Sequence, residues 1–221
     1  SDAAPPKTIR LADYRAPDYR VEHVDLDFVL DPKRTLVKAR LVIRRADHAA
    51  PGAPLILDGE GLELISIAID EDPLSADAYR LADETLTILS PPRDFKLDIM
   101  TACSPEANTA LSGLYISNGM FCTQCEAEGF RRITYYPDRP DCLAKFTTRI
   151  EADKARYPVL LSNGNRLAAG DLPGGRHFAQ WADPHPKPAY LFALVGGDLV
   201  AVEGEFVTRS GRKVALKVFV Q

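Results

Sequence analysis

Residues 24–43 read Val24-Asp25-Leu26-Asp27-Phe28-Val29-Leu30-Asp31-Pro32-Lys33-Arg34-Thr35-Leu36-Val37-Lys38-Ala39-Arg40-Leu41-Val42-Ile43, and this stretch decides the fold class. Val24, Leu26, Phe28 and Leu30 share one face, and Val37, Ala39, Leu41 and Ile43 repeat the pattern after the turn Asp31-Pro32-Lys33-Arg34. Side chains of a strand alternate between its two sides, so an apolar period of two marks two strands, each with one buried face. The unit starts near Tyr19 and reads as a strand-turn-strand pair.

The same rhythm extends outward. Leu55–Leu57, Leu62–Ile69, Leu86–Leu89 and Phe95–Thr101 are short apolar runs separated by Pro, Gly and Asp clusters. In the second half Tyr157–Leu161 meets Asn163-Gly164, a strong hairpin signal, and His177–Trp181 follows Gly174-Gly175. Glu203–Val207 and Lys213–Val220 flank Arg209-Ser210-Gly211-Arg212, which predicts another hairpin. Only Pro140–Lys145, opened by Asp138, predicts a helical turn, with proline near the first helical position. The 17 prolines and 14 glycines are spread as turn punctuation without a linker or repeat. The reading is all-β, mostly antiparallel, in a single domain over residues 1–221. Val214–Val220 reads as a strand running to within one residue of the last, as at a cut within a longer chain or at a short native terminus.

With 46% apolar and 26% charged residues, the composition is that of a folded globular chain. A net charge of -4 disfavours a general nucleic-acid or anionic-membrane surface. No apolar run approaches membrane-spanning length, and Ser1–Lys7 lacks the basic and apolar regions of a signal peptide, which predicts a soluble, cytoplasmic protein. The four cysteines, Cys103, Cys122, Cys125 and Cys142, do not make a secreted-type disulfide framework, and reduced thiols are expected.

Motifs for chemistry are sparse. Cys122-x-x-Cys125 has metal-ligand spacing but lacks a second pair, and the four histidines, His23, His48, His177 and His185, form no His-Glu-x-x-His. No Gly-x-Ser-x-Gly elbow or phosphate-binding glycine loop occurs. Neither metal ligands nor catalytic residues are expected within this chain. The unusual stretch is 123–140, which mixes amide, carboxylate, guanidinium and phenol groups with little periodicity. If Gln124-Cys125-Glu126 is extended, Gln124 and Glu126 face the same side, and an amide beside a carboxylate suits an ammonium group. The competing reading makes Glu126, Glu128, Arg131 and Arg132 a solvated salt-bridge face.

Asn108-Thr109-Ala110-Leu111-Ser112-Gly113-Leu114-Tyr115 followed by Cys122-Thr123-Gln124-Cys125-Glu126-Ala127-Glu128-Gly129-Phe130-Arg131 resembles the bacterial branch of the aminopeptidase N family. Asp138-Arg139-Pro140-Asp141, Lys145-Phe146-Thr147-Thr148, the run 157–165, Pro186-Lys187-Pro188 and the run 190–195 resemble it in the same order. The resemblance implies that family's N-terminal domain, a saddle-shaped β-sandwich beside a thermolysin-like domain that holds zinc on His-Glu-x-x-His. It also implies that Glu126 helps bind the α-ammonium of a peptide's N-terminus and that Gln124 lines the pocket for the first side chain. The implied partners are that peptide and the catalytic domain of the same polypeptide, zinc is the cofactor of the complete enzyme, and this fragment alone is inactive. Many relatives have Asp-Glu-Pro where Asp138-Arg139-Pro140 stands here, which fits the bacterial branch. Two other functions fit the all-β reading: a stand-alone binding module for carbohydrate or protein, and a stand-alone paralogue acting as a regulator.

Overall fold

The computed structural model describes residues 10–221; the segment Ser1–Lys7, read above for a signal peptide, lies outside the described residues. In chain order the strands are β1 (Tyr19–Val29), β2 (Thr35–Arg45), β3 (Leu55–Asp58), β4 (Glu63–Ile69), β5 (Asp72–Pro73), β6 (Tyr79–Leu81), β7 (Thr85–Ile88), β8 (Asp94–Cys103) and β9 (Gly113–Ser117). They continue as β10 (Met120–Gln124), β11 (Leu143–Asp153), β12 (Val159–Ser162), β13 (Asn165–Leu172), β14 (Arg176–Pro188), β15 (Leu194–Gly197), β16 (Val200–Val207) and β17 (Lys213–Val220). Helical structure among the described residues is confined to three-residue 3-10 turns such as Phe130–Arg132. The fold is all-β.

An eight-stranded sheet runs β13-β14-β11-β1-β2-β8-β4-β5, and smaller sheets run β12-β15-β10-β9, β3-β7-β6 and β16-β17. The pairing is antiparallel except between β1 and β11. The alternating stretch behaves as its pattern demands: Val24, Leu26, Phe28, Val37, Ala39, Leu41 and Ile43 are all buried. The Asp31 carboxylate accepts from the Lys33 and Arg34 amides at 2.8 and 3.0 Å, which closes the turn between β1 and β2. One continuous core joins this face to Leu55, Leu57 and Leu86 of the three-stranded sheet and to Leu114, Phe121, Leu160 and Leu194 of the four-stranded sheet. Each such side chain contributes about 1.5–3 kcal/mol on burial. The β16-β17 hairpin forms as the sequence predicts, pairing Val200 with Val220 through Val207 with Lys213, and adds no buried side chain to that core.

Two local expectations are corrected. Asn163-Gly164 does not close a hairpin, because β12 pairs with β15 whereas β13 pairs with β14. The dipeptide instead passes the chain between sheets: the Asn163 side chain donates to the Leu191 carbonyl at 3.1 Å and accepts from the Ala193 amide at 2.7 Å. At Gly164, φ is +85° and a Cβ would lie 2.1 Å from the Ala182 carbonyl oxygen, so glycine is demanded by a neighbouring strand. The second correction concerns Pro140–Lys145, which forms no helix. Residues 140–141 make a turn, and β11 begins at Leu143 alongside β1. The Asp138 carboxylate, expected to cap that helix, is engaged by Arg131.

Candidate functional site

Gln124 and Glu126 sit where the chain leaves the four-stranded sheet. β10 ends at Gln124, opposite Gly113 of β9. The backbone then turns, with the Gly129 amide donating to the Cys125 carbonyl at 2.8 Å. Gln124 and Glu126 are exposed while Cys125 between them is buried, although the strand ends at Gln124 and Glu126 already lies in the turn. The Gln124 amide nitrogen donates to the Glu126 main-chain carbonyl at 3.2 Å, which ties the two residues together. The amide oxygen, an acceptor, is the other end of that side chain.

Close packing fixes this turn. At Gly129 the backbone is right-handed, with φ -89°, so the reason for glycine is space. A Cβ there would lie 2.3 Å from the Gln124 carbonyl oxygen, 2.8 Å from Ser112 Oγ and 3.0 Å from Cys125 Cα. The loop before β9 therefore rests directly on the turn. That loop is itself clamped by Asn108, whose Nδ2 donates to the Ser112 and Leu114 carbonyls at 2.8 and 2.9 Å. On the other side of Gly129, Phe130 is fully buried and meets Tyr136, Phe146 and Phe192 edge-on, with ring centroids 5.0, 5.9 and 5.3 Å away.

Arg131 follows. Its main-chain amide and Nε donate to Asp138 Oδ2 at 3.1 and 3.2 Å, and Nη2 donates to the Asp138 carbonyl at 3.2 Å. The same Nη2 lies 3.5 Å from Glu128 Oε2 and 3.9 Å from Asp58 Oδ2. Asp58, at the end of β3, accepts from the Asp138 amide at 3.0 Å and exchanges main-chain hydrogen bonds with Tyr136 at 2.8 and 3.0 Å. Asp138 is 4% exposed, and burial pushes its carboxyl above the ordinary carboxylate range against the lowering effect of the Arg131 hydrogen bonds. Arg132 pairs with Glu60.

The salt-bridge-face reading is therefore only partly right. Glu128 and Arg131 do pair, but the principal partner of Arg131 is a buried carboxylate, and the result is an anchor. Glu126 takes no part in the ion pairs of Glu128, Arg131 and Arg132. It is an exposed carboxylate on a pinned turn. Asp58 and the Arg131–Asp138 anchor were not singled out in the sequence as parts of the site. Gly129, inside a charged run, was the available signal of a close approach.

All four cysteines are free thiols, and burial pushes those of Cys103 and Cys125 up to about 12. Protonated thiols of this kind are weak nucleophiles and weak metal ligands. Among the described residues no three His, Cys, Asp or Glu side chains gather as a metal site. His23 Nε2 lies 2.9 Å from Asp25 Oδ1 and 3.0 Å from Thr147 Oγ1, and His177 Nε2 lies 2.7 Å from the Tyr157 carbonyl. Among the described residues no helix is long and apolar enough to cross a membrane.

The Peptidase M1 N-terminal domain family covers residues 20–191, and the chain belongs to that family. It is similar to the aminopeptidase N of Caulobacter vibrioides, at 54% identity over 215 residues, covering 97% of this chain and 25% of that protein. It is likewise similar to the aminopeptidase N of Escherichia coli, at 55% identity over 208 residues, covering 94% of this chain and 23% of that protein. The chain thus spans about a quarter of the length of the curated relatives it matches. Among solved structures, Legionella pneumophila aminopeptidase A in complex with aspartic acid is similar, with a TM-score of 0.89 and 38% identity over 96% of this chain and 25% of that one. An M1 zinc metallopeptidase from Deinococcus radiodurans shares the fold, with a TM-score of 0.75 and 17% identity over 91% of this chain and 47% of that one.

Proposed function

We propose that residues 1–221 act as the N-terminal β-sandwich domain of a zinc-dependent aminopeptidase that removes N-terminal residues from peptides, in cytoplasmic peptide catabolism. In this reading the Glu126 carboxylate meets the α-ammonium of the substrate, and Gln124 lines the pocket for the first side chain. The single observation that carries it is an exposed carboxylate, outside the neighbouring ion pairs, on a turn held by a buried aromatic and by an ion pair to a buried carboxylate. Such a turn keeps its charge in one place without neutralising it, which is what recognition of an ammonium requires. Restriction to free N-termini follows, because a carboxylate desolvated by substrate is stabilised only when a cation replaces its water.

Among the described residues no set of side chains fits zinc. The zinc and the residues that attack the peptide bond are proposed to lie in the remainder of the polypeptide, against which this domain packs. The test compares this chain with the complete polypeptide for zinc content and for hydrolysis of an alanyl anilide. The complete protein should bind stoichiometric zinc and turn over, while this chain does neither. Turnover by this chain alone, surviving removal of host peptidases, would overturn the division of labour.

A further inference from the structure

Arg131 stands five residues beyond Glu126, is half-buried, and reaches three separate pieces of the chain. It holds Asp138 through both its backbone and its guanidinium, lies 3.5 Å from Glu128 on the turn itself, and lies 3.9 Å from Asp58 at the end of β3. Asp58 in turn accepts from the Asp138 amide, so the three carboxylates and one guanidinium form a closed set joining β3, the 125–129 turn and the irregular segment leading into β11. A buried carboxylate such as Asp138 is tolerated only when paired and hydrogen-bonded. The geometry of the turn and the pairing of that charge are therefore coupled.

From this arrangement we infer that Arg131, seated by Asp138 and Asp58, is a positioning residue for substrate: it sets where the Gln124–Glu126 edge stands, and thereby how tightly the α-ammonium is held. The inference rests on the role proposed above for Glu126. It goes beyond that role in assigning the placement of the carboxylate to a cation, and this makes a prediction of unexpected sign. A guanidinium near an ammonium site repels the ligand, so removing it on electrostatic grounds alone should tighten binding. If Arg131 acts by placement, removing it loosens binding, because a shift of about 1 Å in a recognition group costs up to 100-fold.

The experiment uses the complete polypeptide and three variants. Arg131→Lys keeps the charge and loses the planar fork. Arg131→Met loses both. Glu128→Gln removes only the contact between Arg131 and an exposed residue of the turn, a surface change expected to leave the domain folded. The expected result is a rise in KM on the order of 10-fold for both Arg131 variants and about 2-fold for Glu128→Gln, with kcat and zinc content near wild type. Inhibition by a substrate analogue lacking the α-amine should weaken less than inhibition by its amine-bearing counterpart, whereas general loosening of the domain would weaken both equally. A lower KM in Arg131→Met with no change in Arg131→Lys would replace placement with simple repulsion and overturn the inference. Equal loss of affinity for the analogue lacking the amine would overturn it as well, by showing a role in the fold alone. Glu126→Gln run beside these separates the two claims: if it weakens binding and the Arg131 variants do not, positioning fails and the Glu126 role stands, whereas an inert Glu126→Gln removes the role itself.

Discussion

Replacing Gly129 with alanine places a methyl group where three atoms already stand. The new Cβ meets the Gln124 carbonyl oxygen at 2.3 Å, Ser112 Oγ at 2.8 Å and Cys125 Cα at 3.0 Å. Two of these atoms are backbone and cannot rotate away, so the turn or the end of β10 must move. The φ of -89° is one that alanine adopts freely, so no conformational penalty adds to the clash. Overpacking of this kind costs about 1–3 kcal/mol, and the narrower unfolded ensemble of alanine offsets about 0.4–1 kcal/mol of it. A net loss of about 1.5 kcal/mol lowers Tm by roughly 3–6 °C in a chain of this size. Urea unfolding followed by circular dichroism measures it, with the slope expected to stay at the wild-type value. Adding Ser112→Ala removes one contact of the three and should restore only part of the loss. A Gly129→Ala chain within about 0.5 kcal/mol of wild type would refute the close approach, and full rescue by Ser112→Ala would place the clash on the serine alone.

Other expectations follow from the same loop. Phe130→Ala should cost about 3–5 kcal/mol, because it empties the contact shared by Tyr136, Phe146 and Phe192; a urea midpoint close to wild type would contradict this. The folded chain binds the Asp138 proton more tightly than the unfolded chain does, so this carboxyl's contribution is full below its unfolded value of 3.8 and is lost as pH rises through the raised folded value. Asp138→Asn does not titrate, so urea midpoints of wild type relative to this variant should fall from about pH 4 upward through that window, and a constant difference would refute the shift. In native protein at about pH 8, Cys103 and Cys125 should resist iodoacetamide, and all four cysteines should react once unfolded without reductant. Rapid native labelling of Cys125, read by peptide mass, would show that the turn opens.

The parts of the fold legible in the sequence are those where one strand buries one face. Val24 to Leu30 and Val37 to Ile43 carry a period of two that survives any choice of partner, and both faces are buried. The pairing itself is decided elsewhere in the chain. β1 lies parallel to β11, with His23 opposite Lys145, a partner that no local pattern specifies. Asn163-Gly164 has hairpin chemistry, but its glycine serves the approach of Ala182 and its asparagine serves residues 191–193, so the turn signal was real and the connection was not. In the site, the exposure of Gln124 and Glu126 on either side of buried Cys125 follows the polar-apolar-polar order of the sequence. The anchor could not be read, since Asp58 stands 73 residues before Arg131 in the sequence and meets it only through the bridge between β3 and Tyr136.

Glu126→Gln in the complete polypeptide tests the role of the carboxylate most directly, because the change keeps the shape of the side chain and removes its charge. A hydrogen bond between charged groups is worth about 1.5–3 kcal/mol, so kcat/KM should fall roughly 10- to 150-fold, mostly through KM, with zinc content unchanged. In the present chain the same variant should shift unfolding by less than about 0.5 kcal/mol, as befits an exposed side chain outside the neighbouring ion pairs. Wild-type kinetics together with a marked loss of stability would contradict the account and make Glu126 a residue of the fold.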